Sequence, residues 1–218
     1  MNDEDILRLI KAEFIEKTLG VTRQYLEIHQ PVYENGGPRI DRIDREKEPD
    51  CVTAYLPVED EYFFFAVYID PIKKEIYSIG TESRNWITFR ATSESLSAKE
   101  LMSFVKFSPT RSWNNGDLKK NGRVKHKCSA IEYTPNPEPD EFEDKLPKLL
   151  VELQKDKDGI LALTKQPDVS AYIQIIMDFH HGNQLLGSAT IDSECIKMIN
   201  ELNLEISFDF TAWGVPFK

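Results

Sequence analysis

Long apolar runs, paired cysteines, phosphate-cradling glycine loops and a surplus of basic side chains are all missing from this chain. No apolar stretch approaches the roughly 18 residues that a membrane-spanning helix needs. The three cysteines, Cys51, Cys128 and Cys195, stand far apart. Such spacing fits neither a zinc site nor a redox pair, so reduced, buried thiols packing as small hydrophobes are expected. The Walker-type and dinucleotide-type glycine loops and the nucleophile elbow of the hydrolases are absent as well. Lysine and arginine number 27 against 37 aspartates and glutamates, a net charge of −10. That balance argues against nucleic acid, whose phosphates want a basic face, and suits steering toward a basic protein partner. The start, MNDEDILRLIKAEF, is acidic and then amphipathic, unlike a secretory leader, and a cytoplasmic protein is expected.

What is present is enough for a folded protein. The chain has 218 residues, 40% of them hydrophobic, sufficient for one large domain or two small ones. Apolar residues at helical spacing (Ile6, Leu9, Ile10, Phe14) predict a helix over Asp3–Leu19, with Gly20 as its stop. Residues 30–50 mix Pro, Gly and both charges and read as a long exposed loop. The run from Tyr62 to Ile69 is continuously apolar or aromatic, which suits a strand covered on both faces. Asp70 and Pro71 open a turn, and Glu75–Ile79 is the return strand.

A second strand-rich region begins at Trp86, with WITFRAT as its first strand. Ser97 and Glu100 have capping-box spacing ahead of a helix whose inward residues are Leu101, Phe104 and Val105. PTRSWNNGD, residues 109–117, is read as a turn, and VKHKCSAIEYT as the next strand. PNPEPDEFED is an acidic loop before a helix with Phe142, Leu146, Leu149, Leu150 and Leu153 on one side. Pro147 predicts a kink there or a later start. SAYIQIIMDF, a turn at HHGN, QLLGSATI, a helix opened by Asp192 with Ile196, Ile199 and Leu202 inward, and LEISFDFTAW complete the chain. Strands and helices mixed without strict alternation predict an α+β fold, a mostly antiparallel sheet with helices on one face, with ferredoxin-like elements among the options. The division expected is residues 1–85, a helix plus small β-meander that could continue the second sheet, and 86–218, an α+β domain.

From about Thr88 to Trp213 this order of elements resembles the bacterial domain of unknown function 4279 family. The most specific residues are those of the turn, Pro109, Trp113, Gly116 and Asp117, with Asn115 where relatives often carry a basic residue. The resemblance implies no established activity.

No catalytic or metal-binding constellation stands out. Adjacent His180 and His181 point to opposite sides of an extended chain, and His126 beside Cys128 has no supporting motif. The carboxylates of REKEPD and DEFED are read as solvated. Aromatics give the stronger signal: Trp86, Trp113 and Trp213 fall at expected strand ends or turns, and tryptophan is a favoured interface anchor. The candidate interface is therefore Arg111, Trp113, Asn114, Gly116, Asp117 and Trp213, with no cofactor or metal and no membrane partner. The function expected is a non-catalytic protein-binding module, such as an immunity-type neutraliser of a basic toxin. The alternative is a small-molecule binder or enzyme with a cleft between the two halves, lined by His126, Cys128, Arg111 and Asp117.

Overall fold

A computed structural model of the chain describes residues 1–48, 50–120, 122–180 and 189–213, without the side chains of Lys47, Glu48, His180 and Trp213. Its elements are α1 (Asp3–Glu16), α2 (Gly20–Ile28), β1 (Tyr33–Glu34), β2 (Gly37–Pro38), β3 (Arg42–Glu48), β4 (Cys51–Pro57), β5 (Phe63–Asp70) and β6 (Glu75–Ser93). They continue with α3 (Ala98–Met102), β7 (Arg111–Trp113), β8 (Ser129–Tyr133), α4 (Phe142–Gln154), α5 (Lys157–Thr164), β9 (Val169–His180), α6 (Ser193–Glu201) and β10 (Glu205–Trp213). This is an α+β protein. Its contacts form two units, residues 1–84 with 177–180 and 210–213, and residues 85–176 with 189–209. None of the described helices is long and apolar enough to cross a membrane.

In the first unit β3, β4, β5 and the start of β6 form an antiparallel meander. Side chains alternate along strands, and here both faces are covered. Val52, Ala54, Leu56, Phe63, Phe65, Val67 and Ile69 meet Ile6, Ile10 and Phe14 of α1 in one cluster. Tyr55, Phe64 and Ala66 form a smaller cluster with Tyr68, which explains why the β5 sequence shows no polar alternation. Asp70 holds the turn as expected, its carboxylate accepting the Ile72 and Lys73 N–H groups at 2.9 Å.

Three expectations for this region are corrected. Gly20 does not stop a helix; Lys17 ends α1 in the left-handed conformation at φ 50°, and Gly20 begins α2. The buried Glu13 makes this corner possible. Its carboxylate accepts hydrogen bonds from Thr18 and Thr22 hydroxyls and from the Leu19 N–H at 3.0 Å, giving α2 an acceptor at its N-terminus that Leu19 lacks. Residues 30–50 are not all loop, because β3 pairs with β4 along Arg42–Asp44. The meander does not end at Ile79 either: Glu75–Ser93 is one strand, so Trp86 lies inside a strand.

In the second unit the strands run in the order β10, β9, β6, with β8 pairing β6 and β7 pairing β8. Ile87, Phe89, Ala91, Ile131, Ile173 and Ile175 are buried, while Arg90 and Gln174 alternate with them as partly exposed positions. The Ser97–Glu100 capping box is present, with Leu101 buried and Phe104 and Val105 half-buried. All of the expected α4 residues are buried. The helix nevertheless starts at Phe142, leaving Pro147 inside it in the second turn. Lys145, also buried, donates to the Asn85 carbonyl at 2.9 Å. Asp140 of the acidic loop is buried too, contrary to the solvated reading, and accepts from Lys148 at 2.6 Å. Asp192 caps α6 through the Cys195 N–H at 2.7 Å, and Cys195 and Ile199 are buried there. Ile196 is exposed, a departure from the expected stripe. The three thiols are free, and only Cys195 is fully buried; Cys51 and Cys128 are half-buried. Burial and then the Asp192 carboxylate push the Cys195 thiol up to about 12, which keeps it protonated and unreactive. The expected HHGN turn and most of the QLLGSATI strand lie outside the described residues; Ala189–Ile191 are not strand.

Candidate functional site

The site is assembled by strand register. In the pairings of β8, Glu132 lies opposite Arg90 of β6 on one side and Arg111 of β7 on the other. Each guanidinium reaches the same carboxylate, Arg90 at 3.1 Å and Arg111 at 3.3 Å. The row continues outward, since Arg90 donates to Gln174 of β9 at 3.0 Å and Gln174 donates to Asp209 of β10 at 3.1 Å. An Arg–Glu–Arg–Gln–Asp ladder thus crosses the strands of the second unit. Two residues along β7, on the same face because strands repeat every second residue, stands Trp113, opposite the small Ala130.

The turn then folds its own cover over the ring. Gly116 takes φ 86°, a conformation that favours glycine, and its N–H bonds the His126 carbonyl at 2.9 Å. The His126 N–H returns to the Asp117 carbonyl at 2.8 Å, and Leu118 bridges Lys125. This hairpin sets His126 against Trp113, the rings stacked with centroids 4.6 Å apart. Arg90 and Arg111 approach the indole at 5.2 and 5.6 Å, within cation–π range. The result is a cleft of about 630 Å³ bordered by Arg90, Arg111, Trp113, Lys119, Lys120 and His126, with Ser112 and Leu118 completing the lining. None of these lining residues is acidic. Lys119 and Lys120 have no ion pair among the described residues, and the Trp113 Nε1–H is buried with no hydrogen-bond partner there.

Arg111 and Trp113 of the candidate interface therefore sit in the cleft. Asn114, Gly116 and Asp117 shape the chain around it: Asn114 Oδ1 accepts the Ala98 N–H at 3.0 Å, and Asp117 accepts the Asn114 N–H at 2.7 Å. Trp213 ends β10, with its side chain outside the described residues. PTRSWNNGD is not wholly a turn, because its RSW portion is β7. Of the four residues named for a cleft between the halves, Arg111 and His126 line this one, which lies wholly in the second unit, and Cys128 and Asp117 do not. Sequence reasoning missed Arg90, Lys119 and Lys120. For the two lysines the available signal was the run DLKKNGRVKHK, a local excess of Lys and Arg in a chain of net charge −10.

No curated protein and no solved structure matches the chain. A family model does: the one described as Domain of unknown function (DUF4279) matches residues 81–213, which takes in every residue of the cleft and ladder, and the chain belongs to that family.

Proposed function

We propose that this chain is a non-catalytic binding module whose recognition site is the Trp113 cleft. The observation that carries the reading is the half-buried indole held between His126 and two arginines at the floor of an open basic cleft. Tryptophan and arginine in partly desolvated settings are the residues that dominate binding energy at hot spots. Immunity-type neutralisation of a basic toxin rests on the net charge of −10. A cationic partner would be drawn to the acidic remainder of the surface and repelled by this cleft. A small-ligand reading is favoured by the concavity itself, whose volume of about 630 Å³ falls within the usual range for ligand sites.

Trp113→Ala tests the binding reading. The ring is half-buried on a short strand, so the expected stability loss is modest, about 1–2 kcal/mol. Binding should fall at least about tenfold. The measurement pairs a denaturant melt with capture of bound molecules from the protein's own cells, comparing the variant with the parent. A folded variant that retains everything the parent captures would reduce Trp113 to a cap over the sheet.

A further inference from the structure

We infer that the Trp113 cleft takes a compact phosphate-bearing anion, no larger than a single nucleotide. The inference rests on the cleft being the binding site and adds the chemistry of what it binds. The sign of charge is the first ground: Arg90, Arg111, Lys119 and Lys120 converge on one cleft whose lining contains no acid. Glu132, behind the lining, balances part of this charge and leaves a positive remainder.

Geometry is the second ground. The Arg111 side chain is 55% exposed, yet its guanidinium is oriented by the ion pair to Glu132 and by the indole. A planar fork fixed at its base and open outward matches phosphate oxygens in pairs, at little entropic cost. Lys119 and Lys120, on the hairpin closed by the Lys119 N–H to Val124 carbonyl bond of 2.7 Å, add charges on flexible stems to the same lining.

Size and surroundings narrow the ligand. The cleft holds about 630 Å³, enough for a phosphate group with a small organic body. The chain as a whole carries −10, so its surface beyond this basic patch is strongly acidic. An extended polyanion would outgrow the cleft and, beyond the basic hairpin around it, meet the chain's acidic excess, whose like charges repel it. A compact anion meets only the cations.

The test titrates isotope-labelled full-length protein with inorganic pyrophosphate and with adenosine diphosphate, following the Trp113 indole N–H resonance and measuring affinity by calorimetry. Citrate and a single-stranded oligonucleotide serve as comparison ligands. Both phosphate compounds are expected to give saturable shifts at Trp113. Their affinity should weaken at least about tenfold in Lys120→Gln, an exposed substitution outside the ion pairs, and in Arg111→Gln, whose fold a denaturant melt checks, and should fall as salt rises. Citrate saturating as tightly as pyrophosphate would overturn the phosphate assignment while leaving the cleft a binding site. Saturation by the oligonucleotide alone would overturn the compact ligand. Absence of any shift at Trp113 would overturn the inference, and the binding-module reading would then stand or fall separately on the Trp113→Ala capture comparison.

Discussion

Phe65→Ala should destabilise the protein by about 3–5 kcal/mol, lowering its melting temperature on the order of 10 °C. Phe65 is 1% exposed and central to the first unit's core. Its ring meets Tyr25 at 5.6 Å, His29 at 6.2 Å, Phe63 at 6.3 Å and Phe14 at 6.5 Å, so four neighbours from three separate parts of the chain would lose a partner together. Truncation removes the transfer energy of the ring and leaves a cavity that a strand hydrogen-bonded on both sides cannot close. The comparison variant is Ile72→Ala, in the β5–β6 turn and 76% exposed, for which a change within about 0.5 kcal/mol is expected. Denaturant melts of the two variants side by side decide the matter. Equal effects would show that the cluster around Phe65 does not hold the fold.

Glu13→Gln is the second large effect, a loss of about 2–3 kcal/mol at neutral pH. An amide of the same shape retains one acceptor but turns an NH₂ toward groups that now donate, and the carboxylate's charge-assisted hydrogen bonds are lost. Burial pushes the Glu13 carboxyl upward, but the hydrogen bonds from Thr18, Thr22 and Leu19 together outweigh it and hold the group below its ordinary value of 4.5. A carboxylate whose folded value is depressed contributes stability that is fully present above the unfolded value and is lost as pH falls through the folded one. The gap between parent and variant should therefore be constant from neutral pH down to about 4.5 and shrink below it. Melts of both proteins across that range check the sign. A gap that widened in acid would mean that Glu13 is not held as the anion.

Glu13 also illustrates what the sequence could and could not disclose. The helix over the first residues, the two-faced β5 strand, the capping box at Ser97 and the buried side of α4 were legible, because each depends on spacing within a few residues. The corner between α1 and α2 was not, since the acceptor that starts α2 comes from a residue on the preceding helix, and glycine in isolation reads as a stop. β3 hid for a related reason. Its sequence, RIDREKE, has the charge of a loop, and only pairing with β4 makes it a strand. Trp113 was legible as unusual for a turn. Its surroundings were not, because Arg90 reaches it through strand register and His126 through a hairpin, and neither leaves a mark at fixed spacing in the sequence.

The ladder from Arg111 to Asp209 has a further consequence for how the cleft comes into being. Each of its members belongs to a different strand, and each bond is correct in only one alignment. Slipping any strand by a single residue would turn its member to the opposite face and break the chain of bonds. The ladder therefore works as a proofreader of assembly. A sheet that has closed out of step leaves Arg111 without its anchor, so the cleft takes shape only in molecules whose strands have all found their proper places.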